Sequence, residues 1–163
     1  MKLRSFVFFI LFVFCLSGYA QGKFILQDKD KDKISFKLIN NLIIIPVEVN
    51  GVPLSFLLDT GVSKVIVFNF VNLSKELKVN QTEEIFLRGL GECDTVESLR
   101  SKNNVFKIGE AINIEQDMFA IFDASLNFTP QLGVPIHGII GYDLFKDFIV
   151  EINYSKKRIT LHN

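Results

Sequence analysis

The sequence contains few of the residues that disulfide, metal and thiol chemistry require. Its 163 residues include two cysteines, two histidines and no tryptophan. Cys15 lies in an apolar amino-terminal run, so Cys93 is the one cysteine of the remaining chain, and neither an intrachain disulfide nor a cysteine-based zinc site is expected. His137 and His162 are not accompanied by a G-x-S-x-G motif, which argues against a serine hydrolase of that type. We therefore predict no metal and no cofactor.

The apolar run at the amino terminus is too short to span a bilayer comfortably. Two basic residues within the first four precede the apolar stretch 6–16, and the small residues Gly18 and Ala20 follow it. This order is typical of a cleavable secretory signal peptide. We predict a signal peptide over residues 1–20, an exported protein that is periplasmic or extracellular, and no membrane association after cleavage. An uncleaved anchor is the alternative.

The chain also lacks a basic field. Eighteen Lys and Arg balance 18 Asp and Glu, and removal of Lys2 and Arg4 with the signal leaves 16 basic against 18 acidic residues, a net charge of about −2. The two signs are interspersed, so no run of cations is available to hold a phosphate backbone. Nucleic acid is therefore not an expected partner.

Strand patterns dominate the rest of the chain, and its length allows one domain. We assign residues 21–33, which include the sign-alternating stretch DKDKDK, to a polar, solvated segment, and residues 34–163 to the domain. Within the domain, the β-branched stretch LIIIPVEV is followed by Asn50-Gly51 and PLSFLL, and Asn-Gly is a strong hairpin signal because both residues accept positive φ. Helical character is brief, as over residues 70–79. The pattern predicts an all-β, barrel-like fold with one or two short helices.

One acidic residue has an unusual setting. In FLLDTGVSKVIV, residues 56–67, Asp59 lies between two apolar stretches. An Asp-Thr-Gly sequence is an acceptable tight turn, since Asp accepts local amide hydrogen bonds and Gly takes positive φ. The apolar flanks favour burial instead, and burial would raise the pKa of the carboxyl group toward the range that proton transfer uses. The flanks thus favour a catalytic acid over a simple turn.

Three stretches of this chain resemble the retropepsin-like aspartic protease family, in particular its exported bacterial members. They are residues 45–63 (IPVEVNGVPLSFLLDTGVS), 137–145 (HGIIGYDLF) and 148–161 (FIVEINYSKKRITL), and they occur in the family's order. The resemblance implies a closed acid-protease barrel over residues 34–163, an aspartic endopeptidase activity and a peptide or protein substrate. Val62 stands where pepsin-like relatives carry a hydroxyl residue, whereas retropepsins commonly have an aliphatic residue there.

The resemblance also implies roles for individual residues. Asp59 would be the catalytic carboxylate, Thr60 would hydrogen-bond to the opposing loop, and Gly61 would let the backbone approach closely. The hairpin over residues 83–99 would be the flap that closes over the substrate, with Gly89 and Gly91 permitting its motion.

One Asp-Thr-Gly per chain is not enough for this chemistry, because amide hydrolysis needs both a base and an acid. Asp143 is expected to cap the short helix after GIIG, so the second acid is expected from another copy of the chain, which predicts a homodimer. Two alternatives stay open: a retropepsin-like module that binds peptides without cleaving them, and a lipocalin-like small-ligand barrel, which would need more strands and would lack the DTG and GIIG landmarks.

Overall fold

The computed structural model describes residues 22–68, 70–88, 95–122 and 128–163. The predicted signal peptide, the flap glycines Gly89 and Gly91, and Cys93 lie outside the described residues. The described chain is mainly β-strand with short helices, so the all-β prediction is confirmed. The strands are β1 (Ile25–Leu26), β2 (Lys31–Ser35), β3 (Lys37–Ile39), β4 (Leu42–Val49), β5 (Val52–Leu58), β6 (Ile66–Val67), β7 (Thr82–Arg88), β8 (Thr95–Ile108), β9 (Ala111–Ile121), β10 (Gly138–Ile140), β11 (Ile149–Asn153) and β12 (Arg158–His162). The helices are α1 (Phe70–Leu73), α2 (Thr129–Leu132) and α3 (Tyr142–Phe145).

The strands form a large sheet and a small one. In the large sheet, β8 pairs with both β4 and β9, so the path β9-β6-β10-β5-β4-β8 returns to its first strand. Strands β1, β3 and β7 extend this path at its edges. The small sheet has the order β11-β12-β2 and joins the two ends of the described chain. Its strand β2 begins at Lys31, within the segment that the sequence assigned to polar, solvated chain.

The hairpin β4–β5 is confirmed at the residues that the sequence indicated. Val49 pairs with Val52, and the two turn residues Asn50 and Gly51 have φ values of 49° and 85°. Both values are positive, as a type I′ hairpin turn requires. The Asn50 side chain adds a second constraint, because its Oδ1 accepts a hydrogen bond from the Val105 amide at 2.8 Å. The turn therefore fixes the register of β5, the strand that directly precedes Asp59.

Strand β10 lies against β5 in parallel register. Ile139 pairs with Leu57 and Ile140 with Leu58, and on its other side β10 pairs antiparallel with β6. The two aliphatic stretches that precede Asp59 and Gly141 are thus direct neighbours, and the loops that follow them leave the sheet at the same end.

The core anchors both of these loops. Phe56 of β5 and Phe106 of β8 are fully buried, with ring centroids 6.1 Å apart in an edge-to-face contact. Val65, Ile140 and Leu144 join the same cluster from the segments that flank the loops. Burial of each such side chain contributes roughly 1.5–3 kcal/mol, so the ends of the loops are held firmly.

The helical segment predicted over residues 70–79 is shorter in the structure. Helix α1 ends at Leu73, and the residues after it continue as turns, with the Leu77 amide donating to the Leu73 carbonyl at 2.8 Å. Among the described residues, no helix is both long and apolar enough to cross a membrane.

Candidate active site

The loop that carries Asp59 is joined to the β10 side of the sheet by backbone hydrogen bonds at both of its ends. The Asp59 amide donates to the carbonyl of Ile140 at 3.0 Å, and the Tyr142 amide donates to the carbonyl of Val62 at 2.9 Å. Within the loop, the Val62 amide lies 3.3 Å from the Asp59 carbonyl. Four residues are therefore held in one conformation by bonds to a neighbouring strand and helix.

Gly141 makes this arrangement possible. It is buried, and a Cβ atom at its position would overlap the Asp59 carbonyl oxygen and lie 2.9 Å from that of Val62. The close contact of the two loops therefore requires glycine here. The paired aliphatic residues and glycine of GIIG, noticed in the sequence, are explained by this packing.

The Asp59 side chain is exposed in the single chain, and the expectation that its apolar flanks bury it is wrong. Those flanks alternate into the core, as Phe56 and Val65 do, while the loop between them emerges at the surface. The Asp59 Oδ1 atom accepts a hydrogen bond from the Gly61 amide at 2.8 Å. The carboxyl group is thus oriented by the turn and remains accessible.

Thr60 and Gly61 are exposed beside it. Among the described residues, the Thr60 hydroxyl has no hydrogen-bond partner. Gly61 does not have a positive φ, so the turn is not the reason for glycine at this position. A Cβ atom there would lie 3.3 Å from Asp59 Oδ1, which is a tight approach to the carboxylate.

The sequence that includes this loop matches a known protein family. A family model described as aspartyl protease matches residues 45–144, which include Asp59, Thr60, Gly61 and Gly141. The chain belongs to the aspartyl protease family.

Solved structures of retropepsin-like proteins are similar to this aspartyl protease family member. A retropepsin-like aspartic protease from Rickettsia conorii superimposes with a TM-score of 0.50 at 16% identity, covering 87% of this chain and 94% of that chain. The EIAV protease in complex with the inhibitor HBY-793 gives a TM-score of 0.46 at 20% identity, covering 64% of this chain and 85% of that chain. No protein of curated function matches the sequence. At 16% identity the Rickettsia structure supports the retropepsin-like fold.

A second aspartate of this family member, Asp143, is buried and fully engaged. Its Oδ2 accepts a hydrogen bond from Gln116 Nε2 at 2.9 Å, and its Oδ1 pairs with Lys146 Nζ at 2.8 Å. It lies in the first turn of α3, whereas the N-cap residue is Gly141 and no side chain caps the helix. The expectation that Asp143 caps this helix is wrong, and its carboxylate instead ties α3 to β9.

His137 braces the strands that lead to both aspartates. Its Nδ1 accepts a hydrogen bond from the Ser55 amide at 3.0 Å, and its own amide donates to the Ser55 carbonyl at 2.8 Å. Burial lowers the pKa of His137, and the amide that points at Nδ1 requires that nitrogen to be unprotonated. The sequence gave no sign of this brace.

The described part of the flap segment is a regular hairpin. Strands β7 and β8 pair from Thr82 with Ser101 to Arg88 with Thr95, which confirms the predicted hairpin up to its tip. The tip residues, with Gly89 and Gly91, lie outside the described part of the chain, so their flap role stays a prediction.

A cleft of about 360 Å³ lies beside the Asp59 loop. Ser63 and Lys64 line it from the loop side, and Ile85 of β7 and Arg100 of β8 line it from the β7–β8 hairpin. Arg100 Nη2 bonds to Asp117 Oδ2 at 2.6 Å and its Nη1 to Glu83 at 2.9 Å, while the Lys64 ammonium lies 4.8 Å from the centre of the Phe119 ring. Asp59 itself does not line the cleft. Sequence reasoning missed these residues, because their meeting depends on pairing between strands far apart in the chain.

No group of three or more His, Cys, Asp or Glu side chains in the described part of the chain is arranged to hold a metal ion.

Proposed function

We propose that this chain is an exported aspartic endopeptidase that acts as a homodimer, in which Asp59 of each chain forms half of the catalytic pair. Membership of the aspartyl protease family supports the reaction class. The observation that carries the proposal is the Asp59 carboxyl group, which is exposed on a rigidly held loop and oriented by the Gly61 amide.

A pair of carboxyl groups is needed because hydrolysis of an unactivated amide requires a base and an acid together. A lone aspartate has a pKa of about 3.9 and is ionised at neutral pH, so it can act only as a base. Two carboxyl groups close together cannot both ionise readily, and aspartic proteases as a class use the proton that such a pair shares.

The proposed reaction moves protons between this pair, water and the peptide. The ionised carboxylate takes a proton from water as the water oxygen attacks the carbonyl carbon, and the protonated carboxyl gives its proton to the carbonyl oxygen. The tetrahedral diol then collapses, the C–N bond breaks, and the leaving nitrogen receives the proton taken from water. The second carboxyl recovers its proton from the diol, and the pair returns to its starting state.

A second chain is the best source of the second acid. Asp143, which follows the neighbouring strand, is occupied by Gln116 and Lys146. The exposed Thr60 hydroxyl lacks a partner among the described residues, and the aliphatic side chains of Leu58 and Val62 beside Asp59 are only partly buried. A two-fold related copy would cover these groups and bring its own Asp59 opposite the first.

Co-expression of two forms of the chain tests the shared pair directly. Equal amounts of wild type and Asp59→Asn are expected to give about one quarter of the activity of pure wild type, since random pairing makes about one dimer in four fully wild type. Peptide cleavage per total chain is the measurement. The matched control is Asp30→Asn, an exposed aspartate elsewhere, which should leave activity unchanged. Activity of about one half with Asp59→Asn would contradict the shared pair and indicate independent chains.

A peptide-binding module without catalysis is the second candidate, favoured by the single Asp-Thr-Gly of the chain. It predicts that the wild-type chain binds extended peptides and cleaves none of a diverse library, and that Asp59→Asn binds them equally well. Cleavage by wild type that is lost in Asp59→Asn would exclude it.

Export is proposed from the amino-terminal sequence. N-terminal sequencing of the protein outside the cytoplasm is expected to begin at Gln21, and a product that retains residues 1–20 would contradict a cleaved signal.

A further inference from the structure

Strand β2 places the alternating Lys and Asp side chains near the amino terminus on opposite faces of the small sheet. Side chains of a strand point alternately to opposite faces, so every second residue shares a face. Lys31 and Lys33 are exposed on the outer face of the small sheet, whereas Asp32 turns the other way and accepts a hydrogen bond from the Glu110 amide at 2.9 Å. A neutral stretch of sequence thus gives one face of the sheet a positive charge.

Neighbouring strands add further cations to this face. Cross-strand partners point to the same side of a sheet, and Lys33 pairs with Thr160 while Ser35 pairs with Arg158. Lys31, Lys33, Lys156 and Arg158 line one shallow depression of about 190 Å³ together with Glu151 and His162. We call this the basic face.

The cations of the basic face are not neutralised by any of the described residues. Glu151 is its one carboxylate, and that group lies 3.4 Å from His162 Nε2. None of the four Lys and Arg side chains has an acidic partner within 4.0 Å among the described residues, whose ion pairs all lie elsewhere or involve His162. Four cations against one carboxylate leave a concentrated positive charge on a chain that is otherwise neutral to slightly acidic.

We propose that the basic face docks the protein on an anionic lipid surface, with Lys31, Lys33, Lys156 and Arg158 contacting the phosphate headgroups. Clustered cations near an anionic bilayer are attracted by the surface potential, and the attraction adds up over the cluster. This differs from the expectation, drawn from the predicted cleavage of the signal peptide, that the mature protein does not associate with membranes. The proposal does not depend on catalysis by Asp59.

The shape and composition of the face favour lipid over nucleic acid. The face is one side of a three-stranded sheet, and the strand residues that form it include no Phe, Tyr or Trp side chain on which bases could stack. Ile149 pairs with His162, so it projects from the same face, and it is 73% exposed. An exposed aliphatic residue beside cations is suited to the boundary between headgroups and acyl chains.

Vesicle co-sedimentation tests the proposal. Both sheets lie within residues 25–162, so a chain that begins at Gln21 contains every described strand and lacks the apolar signal segment. This chain is expected to bind vesicles of mixed phosphatidylglycerol and phosphatidylcholine, and not vesicles of phosphatidylcholine alone. Raising the NaCl concentration to about 0.5 M shortens the Debye length, so binding should be much weaker than at low salt.

Paired substitutions locate the binding surface. Lys31→Gln with Lys33→Gln is expected to lower the vesicle partition coefficient about 30-fold, since each cation near an anionic surface contributes about fivefold. The matched control, Lys75→Gln with Lys78→Gln, removes the same charge from an exposed segment elsewhere and should change partitioning less than about twofold. Far-ultraviolet circular dichroism and thermal melting, which should match wild type in both variants, verify folding.

Three outcomes would overturn the proposal. They are equal binding to both kinds of vesicle, an equal loss of binding in the control pair, and binding to poly-glutamate or duplex DNA without binding to anionic vesicles. The last outcome would assign the basic face to an acidic macromolecule.

Discussion

Two aspartates follow two adjacent parallel strands, and the structure gives them opposite surroundings. Asp59 comes directly after β5, is exposed and accepts one amide hydrogen bond, from Gly61. Asp143 follows β10, is 5% exposed and is bound by a glutamine and a lysine. A buried acid that is already paired with a cation is committed to that contact, whereas an exposed, oriented acid is still accessible for proton transfer. The comparison gives Asp143 a structural role and supports the proposal that Asp59 is the reacting carboxylate.

The largest expected effects come from the same substitution at the two positions. Asp59→Asn is expected to lower peptide cleavage by about 10²–10⁴-fold, because it removes the group proposed to transfer protons, and to change stability by less than about 0.5 kcal/mol. Asp143→Asn is expected to cost about 2 kcal/mol, because it leaves the poorly exposed Lys146 ammonium without its partner. Urea unfolding and cleavage rates measured on both variants test whether Asp59→Asn mainly lowers activity and Asp143→Asn mainly lowers stability.

A double variant tests whether the unpaired Lys146 charge causes the loss of stability in Asp143→Asn. Asp143→Asn with Lys146→Met removes both partners, and it should be more stable than Asp143→Asn alone. If instead Asp59→Asn destabilises the chain as much as Asp143→Asn does, the division between a reacting and a structural carboxylate is incorrect.

Gly141→Ala breaks the contact between the two loops. The added methyl group would overlap the Asp59 carbonyl oxygen, so we expect a loss of about 1–3 kcal/mol and a displaced Asp59 loop. Gly133→Ala is the control: nothing lies within 4 Å of its Cβ position, and its φ of 69° costs about 1 kcal/mol. Calorimetric melting and cleavage rates distinguish the two, because only Gly141→Ala should impair cleavage. Full activity in Gly141→Ala would show that the loops tolerate separation.

A smaller effect is expected at Thr60, beside the exposed aspartate. Thr60→Val removes a hydroxyl that has no partner within the described part of one chain, so a change in dimer affinity of about 1 kcal/mol would place that partner in the second chain. Thr60→Ser keeps the hydroxyl and should dimerise like wild type. Sedimentation equilibrium measures both, and equal affinities for Val and Ser would argue against a hydrogen bond across the dimer.

What the sequence predicts well is local. The Asn50-Gly51 turn fixes its hairpin through the φ preferences of two adjacent residues, and the structure follows it closely. The exposure of Asp59 could not be predicted, because it depends on how the loop leaves the sheet and not on its apolar neighbours. The role of Asp143 was also hidden, since Gln116 approaches it from 27 positions away along the chain. The basic face required knowing that residues 31–33 form a strand, which their polar composition concealed.

The smallest expected effect is a pH dependence of the brace that holds the two aspartate-bearing strands together. Burial lowers the pKa of His137 in the folded chain, whereas unfolding returns it to about 6.5. As the pH falls below about 6.5, the unfolded chain takes up a proton that the folded chain excludes, so the His137 contribution to stability is present above this pH and is lost below it. His137→Asn keeps an acceptor for the Ser55 amide and does not titrate, so its melting temperature should fall less than that of wild type between about pH 7.5 and about pH 5, one unit or more on either side of that pKa. The control is His162→Asn, which alters the other histidine, outside the brace. If the melting temperature of this variant falls with pH as little as that of His137→Asn, the brace is not the cause of the pH dependence.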